Sequence, residues 1–192
     1  MATLNQNISN LEGLLSPVII NSKRYSSHPI RRCIDLVLQH HFNNQPILRD
    51  YENCRLSLLV KNLKEIKTQN ENLFNKFKRD ILRANKDTYY GLRLEISVAA
   101  SLIRSKISFY KSESPDFILD KPFKKASIEC GSLHLTRTFS TNDDLNRKIE
   151  SVIRQKAKKD YCHKASAIFI DVTNIHHFDA GKQNIIKIKQ FE

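Results

Sequence analysis

The chain has 192 residues, enough for one well-buried α/β core with an extension and too short for two large independent domains. Its 32 Lys and Arg against 20 Asp and Glu give a formal charge of +12, a balance that attracts polyanions, nucleic acid first among them, although a membrane surface or an acidic protein would answer the same charge. No run of about 18 apolar residues could span a bilayer and no basic leader precedes an apolar stretch, so a cytoplasmic protein with no membrane association is expected.

The four cysteines at 33, 54, 130 and 162 form no C-x-x-C pair, which argues against a zinc ribbon and fits reduced thiols. The glycines build no phosphate-cradling G-x-x-x-x-G-K-[ST] loop, so nucleotide hydrolysis by that route has no support. Adjacent histidines at 40–41 and 176–177 point in different directions and are read as surface or core residues.

To about residue 105 the pattern is helical, with Ile34 and Leu38, then Leu56, Leu59, Val60 and Leu63, at helix spacing. Breaks at Ser27-His-Pro29, Asn43-Asn-Gln-Pro46 and Thr68-Gln-Asn-Glu-Asn72 precede three successive helices. A further helix is predicted over Asp87–Ser105, its apolar stripe formed by Leu92, Ile96, Ala99, Leu102 and Ile103. Short β-favouring runs follow at 107–110, 116–119 and 126–130. Thr141 caps a helix expected over 142–160, whose stripe is Leu145, Ile149, Val152 and Ile153. The run 167–173 reads as a strand buried on both faces, and the lysine-dotted run 184–191 as an edge strand.

Three carboxylates stand out against this order. Glu95 falls on or beside the buried stripe of its helix, where a charge is costly unless paired with a nearby Arg or Lys or bound to a metal; both readings stand. Asp116 follows Pro115 at the mouth of one strand, and Glu129 lies within another, 13 residues on. Neighbouring antiparallel strands joined through 121–125 would bring the two together as hard oxygen ligands, although solvent-facing strand acids give the same pattern.

The succession of a helix glutamate, Pro115-Asp116, Ile128-Glu129 in a strand, a basic helix and a buried strand, over roughly residues 87–175, resembles the PD-(D/E)xK (restriction-endonuclease-like) nuclease superfamily. The resemblance implies an α/β fold, a mixed β-sheet core flanked by helices over 87–192, with an N-terminal helical extension over 1–86. It implies catalytic magnesium, or manganese in its place, held by Asp116, Glu129 and Glu95, with the backbone carbonyl of Cys130 as a further ligand. The superfamily places a lysine two residues beyond the strand glutamate; this chain has Gly131 there. Some members carry that lysine on the following helix, and Lys156, on the stripe four residues after Val152, is the best replacement, ahead of Lys148 and Lys125; a snorkelling surface lysine is the alternative.

Arg147, Lys148, Arg154, Lys158 and Lys159 make the same helix basic, either to contact phosphates or simply as a solvated face. The expected function is metal-dependent endonuclease hydrolysis of phosphodiester bonds, in DNA rather than RNA by family analogy, with the N-terminal helices gripping substrate or making a homodimer contact. Two rivals stand beside it: a catalytically degenerate nucleic-acid-binding or protein-interaction module on the same fold, and a helical scaffold with an incidental α/β tail.

Overall fold

The computed structural model describes residues 2–120, 123, 126–133, 142–160 and 165–172, with backbone alone at 142–145. The expected strand at 184–191, Lys125, Cys162 and the histidines at 176–177 lie outside these residues. Seven α-helices and a four-stranded mixed sheet are seen among the described residues.

Six helices come first: α1 (Leu4–Leu14), α2 (Val18–Asn21), α3 (Pro29–Phe42), α4 (Pro46–Gln69), α5 (Glu71–Arg83) and α6 (Lys86–Arg104). Their starts follow local chemistry. Thr3 and Gln6 form a capping box at α1, Pro29 and Pro46 occupy first-turn positions of α3 and α4, Asn70 caps α5, and Asn85 with Thr88 closes α6 reciprocally. The long helix α4 is the hub, packing against α3 on one side and α6 on the other. Its Leu56, Leu59, Leu63 and Ile66 are buried in one continuous core with Phe77, Ile81, Ile96 and Ala99, which extends to Phe117 and Ile128 of the sheet. Polar ties reinforce the α4–α6 seam, where Asn62 donates to Ser97 Oγ at 3.2 Å and accepts from Arg104 at 3.2 Å.

The sheet comprises β1 (Phe109–Lys111), β2 (Phe117–Leu119), β3 (Ser127–Ser132) and β4 (Ser166–Asp171), in that spatial order. The first three strands are antiparallel, and α7 (Asn142–Ala157) returns the chain so that β4 pairs parallel to β3. From α6 onward the order is therefore helix, three antiparallel strands, helix, parallel strand. Gly91 on α6 meets Ser132 on β3, whereas Val152 on α7 lies over Gly131, so alternate β3 positions face different helices. No helix among the described residues is long and apolar enough to cross a membrane.

Three sequence expectations are corrected. Leu38 is exposed and Val37 takes the buried place beside Ile34, because the α3 face against α4 runs through 30, 34 and 37. Ile153 is likewise exposed, since the inward face of α7 passes through the half-buried Ile149, Val152 and Lys156. β4 is not buried on both faces: Ala167 and Phe169 are exposed while Ile168 and Ile170 are half-buried. On the exposed face α6 reaches β4 at Asp171, through Arg93 at 2.7 Å, leaving the strand's earlier positions uncovered among the described residues.

A histidine locks the helical layer. His28 is buried, its Nε2 lies 2.9 Å from the carbonyl oxygen of Ile81, and its Nδ1 accepts the Ile30 N–H at 3.2 Å, so α3 and α5 are joined by a neutral ring protonated on Nε2. Burial holds its pKa below the ordinary 6.5, with the Ile81 hydrogen bond opposing in part. Below pH 6.5 the unfolded chain takes up a proton that the folded ring resists, so stability falls on acidification. Urea denaturation at pH 7.5 and 5.5 should show a lower midpoint at the acid pH, and His28→Asn, which keeps a capping side chain, should flatten that dependence. An unchanged pH dependence in the variant would remove His28 as the source.

Candidate active site

Glu95, Asp116 and Glu129 approach the sheet from α6, the entry to β2 and the middle of β3. The β2–β3 register pairs Phe117 with Ile128, which brings Asp116 and Glu129 to the neighbouring position of the same two strands. Asp116 turns one carboxylate oxygen onto the backbone N–H of Cys130, at 2.7 Å, and so is anchored beside Glu129 along β3.

The acids divide between two sets of cations. Lys111, at the end of β1, places Nζ 3.0 Å from Glu95 and 3.5 Å from Asp116, joining those two carboxylates through one ammonium group. Glu129 is 3 % exposed and takes Lys156 at 2.6 Å and Lys159 at 2.9 Å on one carboxylate oxygen. Partnership of this kind is required, because a buried carboxylate without compensation costs several kcal/mol (about 3 or more). The Cys130 thiol registers the whole group: burial raises its pKa, Asp116 and Glu95 raise it further, Lys111 opposes, and Glu129 adds to the rise. Burial also raises the pKa of Glu95, with Lys111 acting against it and Asp116 with it.

Lys156 arrives over the residue where the strand lacks a side chain. A Cβ added to Gly131 would meet Val152 Cγ1 at 3.3 Å and Lys156 Cε at 3.7 Å, so the stem of Lys156 fills the space above Gly131 and carries its ammonium to Glu129. Glycine at 131 and lysine at 156 are thus sterically complementary.

These elements border a cleft of about 700 Å³ between α5, α6, β3 and α7. Glu95, Asp116, Cys130, Gly131, Lys148 and Lys156 line it, together with Asp80, Arg83 and Asp87 from the helical layer; Glu129 stands behind Lys156 rather than in the wall. A groove along α7, lined by Arg147, Glu150, Ser151, Arg154, Gln155 and Lys158, shares Gln155 with the cleft. Of the five basic residues singled out for phosphate contact, Arg147, Arg154 and Lys158 therefore border the groove, Lys148 the cleft, and Lys159 engages Glu129. The Arg154–Glu150 pair, at 3.7 Å and exposed, contributes little to stability.

Lys111, Arg83, Asp80 and Asp87 were missed by sequence reasoning, and Lys159, expected to contact phosphate, is found instead on Glu129. For Lys111 a signal existed: an antiparallel hairpin folded around 112–116 sets Lys111 opposite Phe117, next to Asp116. The other three sit in the last turn of α5 and the first turn of α6, whose approach to β3 only the tertiary packing defines.

The donor set suits a magnesium ion that retains several waters and takes one or two carboxylates. Glu95 and Asp116 share a single cation and supply hard oxygens to an open cleft. Among the described residues no three Asp, Glu, His or Cys side chains converge as a metal-holding group, so Glu129 would join the pair only as Lys156 and Lys159 release it.

No protein-family model, curated protein or solved structure matches the chain.

Proposed function

We propose that the chain is a metal-dependent nuclease with a restriction-endonuclease-like core, hydrolysing phosphodiester bonds, in DNA before RNA. The observation that carries this reading is the placement of Lys156: its stem covers Gly131 and its ammonium meets Glu129 at 2.6 Å, beside Asp116 and Glu95 on adjoining elements. The sequence of helix, three antiparallel strands, helix and parallel strand from α6 to β4 supports the same core. Family analogy supplies the choice of DNA.

In this reading Asp116, Glu129 and Glu95 would hold magnesium or manganese, with the Cys130 carbonyl as a further ligand. When bound, the ion acidifies a water and draws off charge developing at phosphorus. Asp116 is oriented for this task by the Cys130 N–H. Lys156 orients the attacking water and stabilises the negative charge of the transition state. Arg147, Arg154 and Lys158 bind the phosphate backbone along the groove that adjoins the cleft at Gln155.

The test is cleavage of plasmid and single-stranded DNA in magnesium and in EDTA. Magnesium-dependent nicking supports the nuclease; salt-sensitive binding without cleavage supports the degenerate binding module. The groove makes a separate prediction. Neutralising Arg147, Arg154 and Lys158 together should reduce the slope of log K against log salt by roughly 2 to 3, because each phosphate contact contributes about 0.9. Fluorescence anisotropy over a salt series measures it, and an unaltered slope would place the DNA elsewhere.

A further inference from the structure

Lys111 is the most fully enclosed ammonium group in the cleft region. Its side chain is 10 % exposed, and Nζ reaches Glu95 at 3.0 Å, the Ser112 carbonyl oxygen at 2.9 Å and Asp116 at 3.5 Å. Three acceptors match the three hydrogens of an ammonium ion. The ring of Phe117, its centroid 5.2 Å away, closes the remaining side with a face attractive to cations. Phe117 is itself fully buried and held edge-on by Phe109, so this cap is fixed by the core.

We infer that Lys111 is the resident cation of the Glu95–Asp116 pair, and that a divalent metal ion gains those two carboxylates only by displacing its ammonium group. This rests on the nuclease reading given above, and it makes Lys111 the residue that sets how tightly the site takes metal. The physical argument is competition. Two carboxylates facing one cleft repel each other. Lys111 relieves that repulsion in the metal-free protein. An arriving divalent ion offers twice the charge but must overcome the ammonium's hydrogen bonds and its attraction to both acids. The fold is thereby stable without metal, at the cost of metal affinity.

The stem of Lys111 permits the exchange. It is anchored at the end of β1, next to the bend at 112–116, and four rotatable bonds let the ammonium withdraw from the acids while keeping the Ser112 carbonyl within reach.

The test uses Mn2+ alone as the probe, with binding followed by electron paramagnetic resonance and by calorimetry. Lys111→Met should bind Mn2+ about tenfold tighter or more than the natural protein, and Lys111→Arg, which keeps the charge, should not. The Met variant should melt lower in EDTA and recover more on adding Mn2+ than the natural protein does, as expected when a ligand replaces a lost counter-ion. A second measurement needs no variant. Acylation of the natural protein, read by mass spectrometry, should find Lys111 protected in EDTA and several-fold more reactive in saturating Mn2+.

Two failures are distinguishable. If the natural protein binds Mn2+ and loses it in Asp116→Ala, while Lys111→Met binds no tighter or Lys111 stays protected in Mn2+, Lys111 is a structural partner only and the nuclease reading stands. If neither protein binds Mn2+, the metal site itself is refuted and this inference with it.

Discussion

Asp116→Asn is expected to lower magnesium-dependent DNA cleavage by about a thousandfold or more, the equivalent of the several kcal/mol that a catalytic metal site contributes. The substitution preserves size, and the asparagine carbonyl can still accept the Cys130 N–H that Asp116 accepts at 2.7 Å, so the β2–β3 junction should survive. What it removes is the charge shared with Glu95 around Lys111. Circular dichroism and the melting temperature should therefore change little while single-turnover cleavage collapses. Loss of fold in parallel with activity would mean that Asp116 acts chiefly as a structural anchor. Unchanged cleavage in a folded variant would remove it from the site.

The second large effect is expected at Lys156. Lys156→Ala should reduce cleavage by about 10²- to 10³-fold, the range found when one charge-stabilising donor is removed from an active site. Glu129 keeps Lys159 at 2.9 Å, so the variant should fold. The informative experiment adds a lysine where the strand has none. Gly131 has no positive φ, so its backbone accepts a side chain, and the atom that hinders it most flexibly, Lys156 Cε at 3.7 Å, is gone in the alanine background. Gly131→Lys with Lys156→Ala should recover part of the lost rate, although Val152, at 3.3 Å from the new Cβ, must yield by a few tenths of an ångström. If the double variant folds and remains as inactive as Lys156→Ala, the two positions do not share one role. If Lys156→Ala cleaves at the natural rate, Lys156 is only a partner for Glu129.

Much of the element order was legible because local chemistry determines it. Prolines at 29 and 46 and the polar run that contains Asn70 mark helix starts in the chain as they do in the structure. The inward direction of Lys156 was also readable, since it continues the spacing of Ile149 and Val152. Leu38, Ile153 and the faces of β4 were not, because hydrophobicity says which residues can be buried and packing decides which are. Each of the three lies where a neighbouring element covers an adjacent position instead.

The site shows the same division. The three carboxylates could be picked out by residue type and place, and both readings of Glu95 in the sequence, ion pair and metal ligand, meet in Lys111. The cations could not be assigned in that way. Lys159 reads as one more phosphate-contacting base, and Lys111 stands out from the other basic residues only once the hairpin around 112–116 is drawn; the fold turns them onto Glu129 and onto Glu95 and Asp116. The consequence is chemical: the three carboxylates form a set of neutralised ion pairs, so the proposed metal ion would have to compete with lysines for every carboxylate it took.

Whether Asp116 and Glu129 work together in metal-dependent cleavage is read from supercoiled-plasmid nicking by the natural protein, Asp116→Ala and Glu129→Ala side by side. Nicking by the natural protein is expected in magnesium, none in EDTA, and none by either folded variant. Equal nicking by all three proteins would contradict that joint role.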